Sequence, residues 1–314
     1  MDKFDLQTAV VFCIFNRLET AKRVFEVIRQ AKPPRLYIVS DAARGEVAGE
    51  EEKVNIVRRY VEQHVDWPCE VFKNYADHNM GCGKRIPDGI DWAFESEEQL
   101  IILEDDCVPE LSFFQYCEEM LDFYKEDERI LMISGNNPFE EGCDQQHEYL
   151  FVKIPFIWGW ATWKRAWKLY DFNIKSFPEN KKNRIFKEVF PIRAYWAYMA
   201  EFETVYNHKF DAWDYQWLYT CIVNNKLCVA PTENHVYNIG ICEDSTHTNR
   251  VPQWMSRDAK PVKFPIKYRD EVVWDRAFER EYFKIANKHG FIVRIKQLLG
   301  LDINKSIFSG IRKG

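Results

Sequence analysis

Three adjacent acidic residues, Glu104, Asp105 and Asp106, form the stretch of this sequence best suited to chemistry. They follow the apolar residues 101–103, which predict a buried strand, and they precede Pro109, which indicates a turn. The acids are therefore expected at the carboxyl end of a central strand, where open α/β sheets bind ligands. Because carboxylates tolerate one another best around a cation, the stretch predicts a Mg²⁺ or Mn²⁺ site. A solvated acidic turn is the alternative interpretation.

A second candidate is the segment 79–85, in which two glycines lie close to the cations Lys84 and Arg85. A loop that contacts a diphosphate needs bare backbone for close approach and positive charge for the phosphate oxygens. The spacing fits neither the P-loop nor the dinucleotide-binding fingerprint, so a plain turn is the alternative.

Aromatic residues surround the next candidates. Asp214 lies in the aromatic segment 210–217, where a carboxylate with a raised pKa suits a general base, although a helix-capping Asp is the usual alternative. Trp160 lies in the indole-rich segment 156–163, and Trp rings stack on sugars while the indole N–H donates a hydrogen bond. Most of these indoles are assigned to the core, and one or two to a binding wall. His247 is a candidate metal or phosphate contact, whereas a lone His is more often structural.

Strands and helices are predicted to alternate in the elements that position these residues. Apolar runs predict strands at residues 8–15, 36–39, 69–72, 101–103 and 130–134. Helical periodicity or composition predicts helices between them, including 51–64, 88–96 and 113–124. This alternation is typical of a parallel sheet with crossover helices.

Composition narrows the class of protein. The 314 residues are 46% hydrophobic, which is enough for a large core, and the net charge of −6 argues against bulk nucleic-acid binding. Nine cysteines without a Cys-x-x-Cys pair indicate a reducing compartment rather than a zinc ribbon or a disulfide framework. The acidic residues 1–5 do not predict a signal peptide, and no apolar run approaches eighteen residues. A cytoplasmic protein is expected.

The C-terminal segment differs in charge from the rest of the chain. Residues 280–314 carry eight Lys and Arg against two acids, interleaved with apolar residues, which predicts basic amphipathic helices. Such helices lie on anionic membrane surfaces or pack on the acidic body of their own chain, and the sequence leaves both interpretations open. We therefore predict a catalytic domain at residues 1–250 and an extension at residues 251–314, with peripheral contact at the inner face of a membrane as one role for the extension.

Residues 8–248 resemble a glycosyltransferase of the GT-A fold, the Rossmann-like fold of nucleotide-diphospho-sugar transferases. The resemblance is to the group around N-acetylglucosaminyltransferase I and its bacterial relatives. It depends on motifs in the expected order: Asn16-Arg17, Ser40-Asp41, Leu103-Glu104-Asp105-Asp106, Trp158-Gly159-Trp160, Trp213-Asp214-Tyr215 and residues 238–247. It implies an α/β fold with a mostly parallel central sheet flanked by helices.

The resemblance also implies roles for individual residues. Asp106 would ligate Mn²⁺ or Mg²⁺, Asp214 would act as the catalytic base, and His247 would close over the diphosphate or the metal. The donor site would be completed by a larger set of residues: Asn16, Arg17, Asp41, Lys84, Arg85, Glu104, Asp105 and Trp160.

The function implied is a metal-dependent inverting glycosyltransferase in bacterial surface polysaccharide or glycoconjugate synthesis. It would move a sugar from a nucleotide donor, expected to carry UDP, to a hydroxyl of a glycan or lipid-linked glycan acceptor. One alternative is a sugar-1-phosphate nucleotidyltransferase, although the glycine-rich loop usual after the first strand of such enzymes is replaced here by residues 13–17, which contain no glycine. A non-catalytic nucleotide-sugar-binding module is the other. The sequence does not identify the donor sugar, the acceptor or the linkage.

Overall fold

A mixed eight-stranded sheet flanked by helices forms the body of the protein. The structure is a computed structural model that describes residues 4–140, 143, 147–182, 184–240 and 258–286. The strand order in the large sheet is β3-β2-β1-β4-β8-β6-β9-β7, and β5 and β10 form a second, two-stranded sheet. The strands are β1 (Ala9–Ile14), β2 (Arg35–Ser40), β3 (Glu70–Tyr75), β4 (Gln99–Glu104), β5 (Cys107–Pro109), β6 (Ile130–Ser134), β7 (Tyr149–Val152), β8 (Trp160–Trp163), β9 (Leu227–Pro231) and β10 (Val236–Asn238).

Helices connect most of these strands in the order that the apolar periodicity predicts. Three of them span only four or five residues, and the others span ten to fifteen. The helices are α1 (Leu18–Ala31), α2 (Glu50–His64), α3 (Cys82–Ala93), α4 (Ser112–Phe123), α5 (Lys164–Trp167), α6 (Phe177–Asn180), α7 (Ile185–Val189), α8 (Ile192–Tyr206), α9 (Asp214–Val223) and α10 (Arg276–Ala286).

The prediction of a mostly parallel sheet is confirmed only in part. Strands β3, β2, β1 and β4 are parallel neighbours, as expected from helical crossovers, and β6 is parallel to β9. However, β8 runs antiparallel between β4 and β6, and β7 runs antiparallel to β9. The short strand β8 is part of the indole-rich segment, whose composition did not distinguish a strand from a loop. The α/β class is correct, and the sheet is mixed.

Helix α3 begins six residues before the helix predicted from the sequence. It starts at Cys82 and includes Pro87, which lacks a backbone N–H and usually marks a helix end. The two glycines at 81 and 83 also predict a turn rather than a helix start. The N-terminal amides of α3 find hydrogen-bond acceptors in a distant loop, described below, and this tertiary contact overrides the local signals.

The two-stranded sheet places the chain after β9 beside the three acids. Strand β5 begins directly after Asp106, and β10 pairs with it antiparallel, with Asn238 opposite Cys107. The amide of Ile239 also donates to the backbone carbonyl of Asp106 at 2.8 Å. Residues 238–240 are thereby fixed at the end of β4.

The described part of the C-terminal segment packs against the edge strand β7. The Asp275 amide donates to the carbonyl of Phe151 at 2.8 Å, and its carboxylate accepts the Phe151 amide at 2.7 Å. The carboxylate of Glu279 in α10 accepts the amides of Lys153 and Ile154 and the indole N–H of Trp274. These contacts satisfy backbone donors at a sheet edge that would otherwise be open.

Residues 280–286 therefore belong to a helix that packs on its own chain, because Phe278, Tyr282 and Phe283 of α10 are buried. The remainder of the predicted basic segment, residues 287–314, lies outside the described residues. Among the helices described, none combines the length and the apolar composition needed to cross a bilayer.

Candidate active site

The acid triplet lies at the carboxyl end of β4, as the sequence predicts. Glu104 is the last residue of that strand and pairs in register with Cys13 of β1, while Asp105 and Asp106 form the turn into β5. Asp105 is buried, and its carboxylate accepts the backbone amide of Phe15 at 3.0 Å. The ends of β1 and β4 therefore converge on one group of carboxylates.

Arg17 joins the two aspartates of the triplet. Its Nη2 lies 2.6 Å from Asp105 Oδ1 and 2.8 Å from Asp106 Oδ2. Burial alone would lower the pKa of Arg17, but the charges of Asp105 and Asp106 raise it above the ordinary arginine value. Arg17 therefore supplies positive charge between these two acids.

The remaining acid of the triplet, Glu104, lies among like charges. Burial raises the pKa of its carboxyl well above the usual range, and the nearby carboxylates of Asp106, Asp105 and Asp214 raise it further. Burial also raises the pKa of Asp105 to about 6, against the opposing charge of Arg17. The influence of Asp214 on Glu104 places the predicted base within electrostatic reach of the triplet.

Asp214 is the first residue of α9, and the aromatic cluster below it supports its position. Trp213 stacks on Trp160 with ring centroids 5.5 Å apart, and Tyr170 donates from its hydroxyl to the Trp213 carbonyl at 3.2 Å. Trp160 is only 1% exposed, and within the described part of the chain its indole N–H has no hydrogen-bond partner. The structure places Trp160 in the core that supports the site rather than on an open wall.

The turn predicted to contact a diphosphate binds carboxylates of its own chain. The amides of Met80 and Gly81 donate to Asp41 at 2.9 Å each, and the amides of Cys82 and Gly83 donate to Asp211 at 3.1 and 2.8 Å. Four consecutive amides thus bind two aspartates from different parts of the fold. The carboxylate of Asp41, predicted to belong to the donor site, is hydrogen-bonded to this turn.

The two cations of the same segment differ in their surroundings. Arg85 is buried and donates to the Ser40 carbonyl at 3.2 Å, to Asn74 at 2.6 and 2.8 Å, and to Asp88 at 2.5 Å. These bonds tie the ends of β2 and β3 together. Lys84 is exposed at the start of α3, where its ammonium remains accessible to a phosphate.

Asn16 contacts a buried acid that the sequence analysis did not identify. Its amide nitrogen donates to Glu50 Oε1 at 2.8 Å, and Glu50 also accepts the backbone amide of Arg44 at 2.8 Å and pairs with the Arg44 guanidinium. The hydrogen bond from Arg44 lowers the pKa of Glu50. Glu50 lies in a run of three glutamates at the start of α2, a pattern that predicts a solvated helix end, so no local signal indicated its burial.

Two further residues that the sequence analysis did not assign to the site approach Asp106. The Asn238 amide nitrogen lies 3.4 Å from Asp106 Oδ1, and the Asn238 side-chain oxygen accepts the Gly240 amide at 2.8 Å. A Cβ at Gly240 would lie 2.0 Å from Asp106 Oδ2 and 2.8 Å from Arg17. A side chain at position 240 would therefore displace the Arg17–Asp106 pair. His247 lies outside the described residues.

Of the two aspartates in the triplet, Asp106 has the carboxylate oxygen with the weaker hydrogen bonds. Both oxygens of Asp105 are bonded to Arg17 and Phe15, whereas Asp106 Oδ1 has only long contacts of 3.3 Å to Cys107 and 3.4 Å to Asn238. Across the described ranges, no group of three or more His, Cys, Asp or Glu side chains is arranged to hold a metal. Mg²⁺ binds through one or two carboxylates together with water and substrate phosphates, so a site that includes Asp106 fits such an ion.

Comparisons with known proteins give weak similarities. No family model and no curated protein matches the chain. Among solved structures, it is similar to the mannosyltransferase PcManGT from Pyrobaculum calidifontis in complex with GDP-Man and Mn²⁺, at 13% identity and a TM-score of 0.35 over 52% of this chain and 46% of that one. It is similar to HddC from Yersinia pseudotuberculosis at 11% identity and a TM-score of 0.33, over 55% and 86% of the two chains.

A UDP-glucose pyrophosphorylase complexed with UDP-glucose is similar at 12% identity and a TM-score of 0.31, over 52% of this chain and 79% of that one. The chain spans about half the length of the mannosyltransferase. Similarities of this size do not carry a functional assignment, which therefore depends on the residues of this chain.

Proposed function

We propose that this chain is an inverting glycosyltransferase that uses a nucleotide-sugar donor, expected to carry UDP, and a hydroxyl acceptor on a glycan or lipid-linked glycan. The proposal depends on one observation above all. The acids 104–106 lie at the carboxyl end of β4, and Trp213, directly before Asp214 at the start of α9, stacks on Trp160, which pairs with Ile102 of the same strand. This arrangement supports a leaving-group site at the acids and a general base at Asp214, at the sheet edge where open α/β sheets bind ligands.

In the proposed reaction, Asp214 accepts the proton of the acceptor hydroxyl as the acceptor oxygen attacks C1 of the donor sugar. The bond between C1 and the diphosphate breaks on the opposite face, which inverts the anomeric configuration. Arg17 borders the nucleotide, and the exposed ammonium of Lys84 attracts the phosphate oxygens. Mg²⁺ or Mn²⁺ held by Asp106, with His247 as a second predicted ligand, would stabilise negative charge on the leaving diphosphate.

Substitution of the two aspartates tests the proposal. We expect Asp214→Asn and Asp106→Ala each to lower the rate of sugar transfer on the order of 10²-fold. Release of free UDP, measured with a set of UDP-sugars and Mn²⁺, reports the reaction, and Asp122→Asn is a matched control because Asp122 is exposed on the far side of α4 from its buried residues. Rates near those of the unsubstituted protein in either variant would remove that residue from its proposed role.

The same assay separates the alternatives. A nucleotidyltransferase releases pyrophosphate rather than UDP, and a binding module releases neither. Thermal shift with nucleotide sugars, in the presence of Mn²⁺ or of a chelator, measures donor binding without turnover, because a ligand that binds only the folded state raises the melting temperature.

A further inference from the structure

The loop that leads into α9 is attached to the N-terminus of α3 through Asp211. The Asp211 carboxylate accepts the amides of Cys82 at 3.1 Å and Gly83 at 2.8 Å, and the Cys82 thiol donates to the Asp211 carbonyl at 3.3 Å. A carboxylate at this position also interacts favourably with the positive end of the helix dipole. Asp211 lies three residues before Asp214, so the contact fixes the chain just ahead of the proposed base.

The contact is so close that it leaves no room for a side chain at Gly83. A Cβ at Gly81 would lie 2.5 Å from Asp211, and a Cβ at Gly83 would lie 2.6 Å from Asp211 and 2.7 Å from the Ala212 amide nitrogen. These distances are shorter than side-chain carbons tolerate, and the nearest groups at Gly83 include backbone that cannot rotate away. The φ of Gly83 is not in the left-handed region, so its backbone conformation does not require glycine. Glycine is needed at position 83 because the loop approaches so closely.

The opposite side of the same turn is attached to the end of β2, because Asp41 accepts the amides of Met80 and Gly81. The turn thus links the edge of the sheet, where the acid triplet lies, to the start of α9. Cys82, at the centre of the turn, lies near acids from both sides: burial raises the pKa of its thiol, and Asp211, Glu104 and Asp214 raise it further.

We propose that Asp211 is a positioning residue, which sets the distance between Asp214 and the acid triplet by holding the 210–213 loop on the amides of Cys82 and Gly83. The inference depends on the proposed function, since the reaction requires that distance. A displacement of the base by about 1 Å can reduce the rate on the order of 10²-fold without weakening the binding of the donor.

Gly83→Ala provides the test, with Gly45→Ala as its matched control, because a Cβ at Gly45 has no atom within 4 Å and its φ is not left-handed. We expect Gly83→Ala and Asp211→Asn to lower kcat about tenfold or more, since the displaced base is poorly aligned. The dissociation constant for UDP should stay within about twofold, and Gly45→Ala should leave both unchanged. In the Asp214→Asn background, Gly83→Ala should cause little additional loss, because the base it displaces is already absent.

Three results would overturn the proposal: an unchanged kcat in Gly83→Ala, a full additional loss in the Asp214→Asn background, or a large loss of UDP binding. Hydrogen exchange provides a test that needs no turnover. Amides at the start of α9 should exchange faster in Gly83→Ala than in Gly45→Ala, because the contact that holds the loop is lost. Equal exchange in Gly83→Ala and Gly45→Ala would overturn the positioning role. If Gly83→Ala exchanges faster but the unsubstituted protein transfers no sugar, only the proposed function is contradicted.

Discussion

The guanidinium of Arg17 offsets the negative charge of two carboxylates, Asp105 and Asp106, that the fold places close together. Asp105 and Asp106 have side chains only 5% and 16% exposed, and Arg17, at 27%, contacts both. Two carboxylates at this depth would repel each other and lose hydration without an opposing charge. The pair of ion contacts therefore stabilises the turn on which the proposed chemistry depends.

We expect Arg17→Met to lower the free energy of unfolding by roughly 3 kcal/mol at neutral pH, because it leaves the buried Asp105 and the half-buried Asp106 without their opposing charge. The loss in the double variant Arg17→Met/Asp106→Asn should be smaller than the sum of the two single losses, since both substitutions remove the same contact. Urea denaturation followed by circular dichroism measures all three.

Arg29→Met is the control for this experiment, because the Arg29–Asp66 pair is exposed on both sides. Exposed pairs are screened by water and add little to stability, so a much smaller loss is expected. Equal losses in Arg17→Met and Arg29→Met would contradict the stabilising role given to Arg17.

Residue types predicted the acids at the sheet edge, but not the partners of those acids. The triplet was found because an apolar strand precedes it directly in the chain. Arg17, in contrast, lies 88 and 89 positions from the aspartates that it binds, and Asp211 lies 128 positions from Gly83. Residues 79–85 were a candidate for contact with a diphosphate, with a plain turn as the alternative, because a glycine-rich turn looks the same whether its acceptor is a ligand or a distant aspartate.

Elements were predicted most reliably where the apolar period is regular. Strand β6 was predicted at its observed bounds, and α2 and α4 within a residue or so at each end. The errors occur where a short element is stabilised by its neighbours rather than by its own pattern. Strand β10 has three residues and exists through its pairing with β5, and β8 has four and lies between β4 and β6.

Gly135 is the point at which these short elements meet. It follows β6, its amide donates to the Gly159 carbonyl at 2.8 Å, and its carbonyl accepts the His235 amide at 2.9 Å. A Cβ there would lie 2.3 Å from Phe113 and 2.6 Å from Val236. Helix α4, the approach to β8 and strand β10 are packed around this one backbone position.

We expect Gly135→Ala to destabilise the protein by about 1–3 kcal/mol, because an added methyl group forces rigid neighbours apart. Gly45→Ala, at an open position, should change the stability little. The melting temperature in the absence of ligand measures both, and a Gly135→Ala protein as stable as the Gly45→Ala control would contradict the packing described here.

At the scale of the whole molecule, the body of the chain is acidic and the C-terminal segment is basic. Residues 287–314, outside the described residues, contain six Lys and Arg against one acid, whereas the whole chain carries −6. Within the predicted extension, residues 251–314, the sequence placed the shift to basic charge near residue 280. The structure shows that α10 continues to Ala286 and packs on the body through Tyr282 and Phe283, so a chain cut at 279 would lose part of the core.

A chain that ends at Ala286 therefore tests the membrane hypothesis without disturbing α10. We expect the full-length chain to co-sediment with vesicles that contain anionic lipid, and the chain ending at Ala286 to do so much less, because each basic residue near such a surface adds about 1 kcal/mol of attraction. High salt should weaken the binding, since it screens that attraction. Equal pelleting of the two chains would show that residues 287–314 do not bind the membrane, and would favour their packing on the acidic body instead.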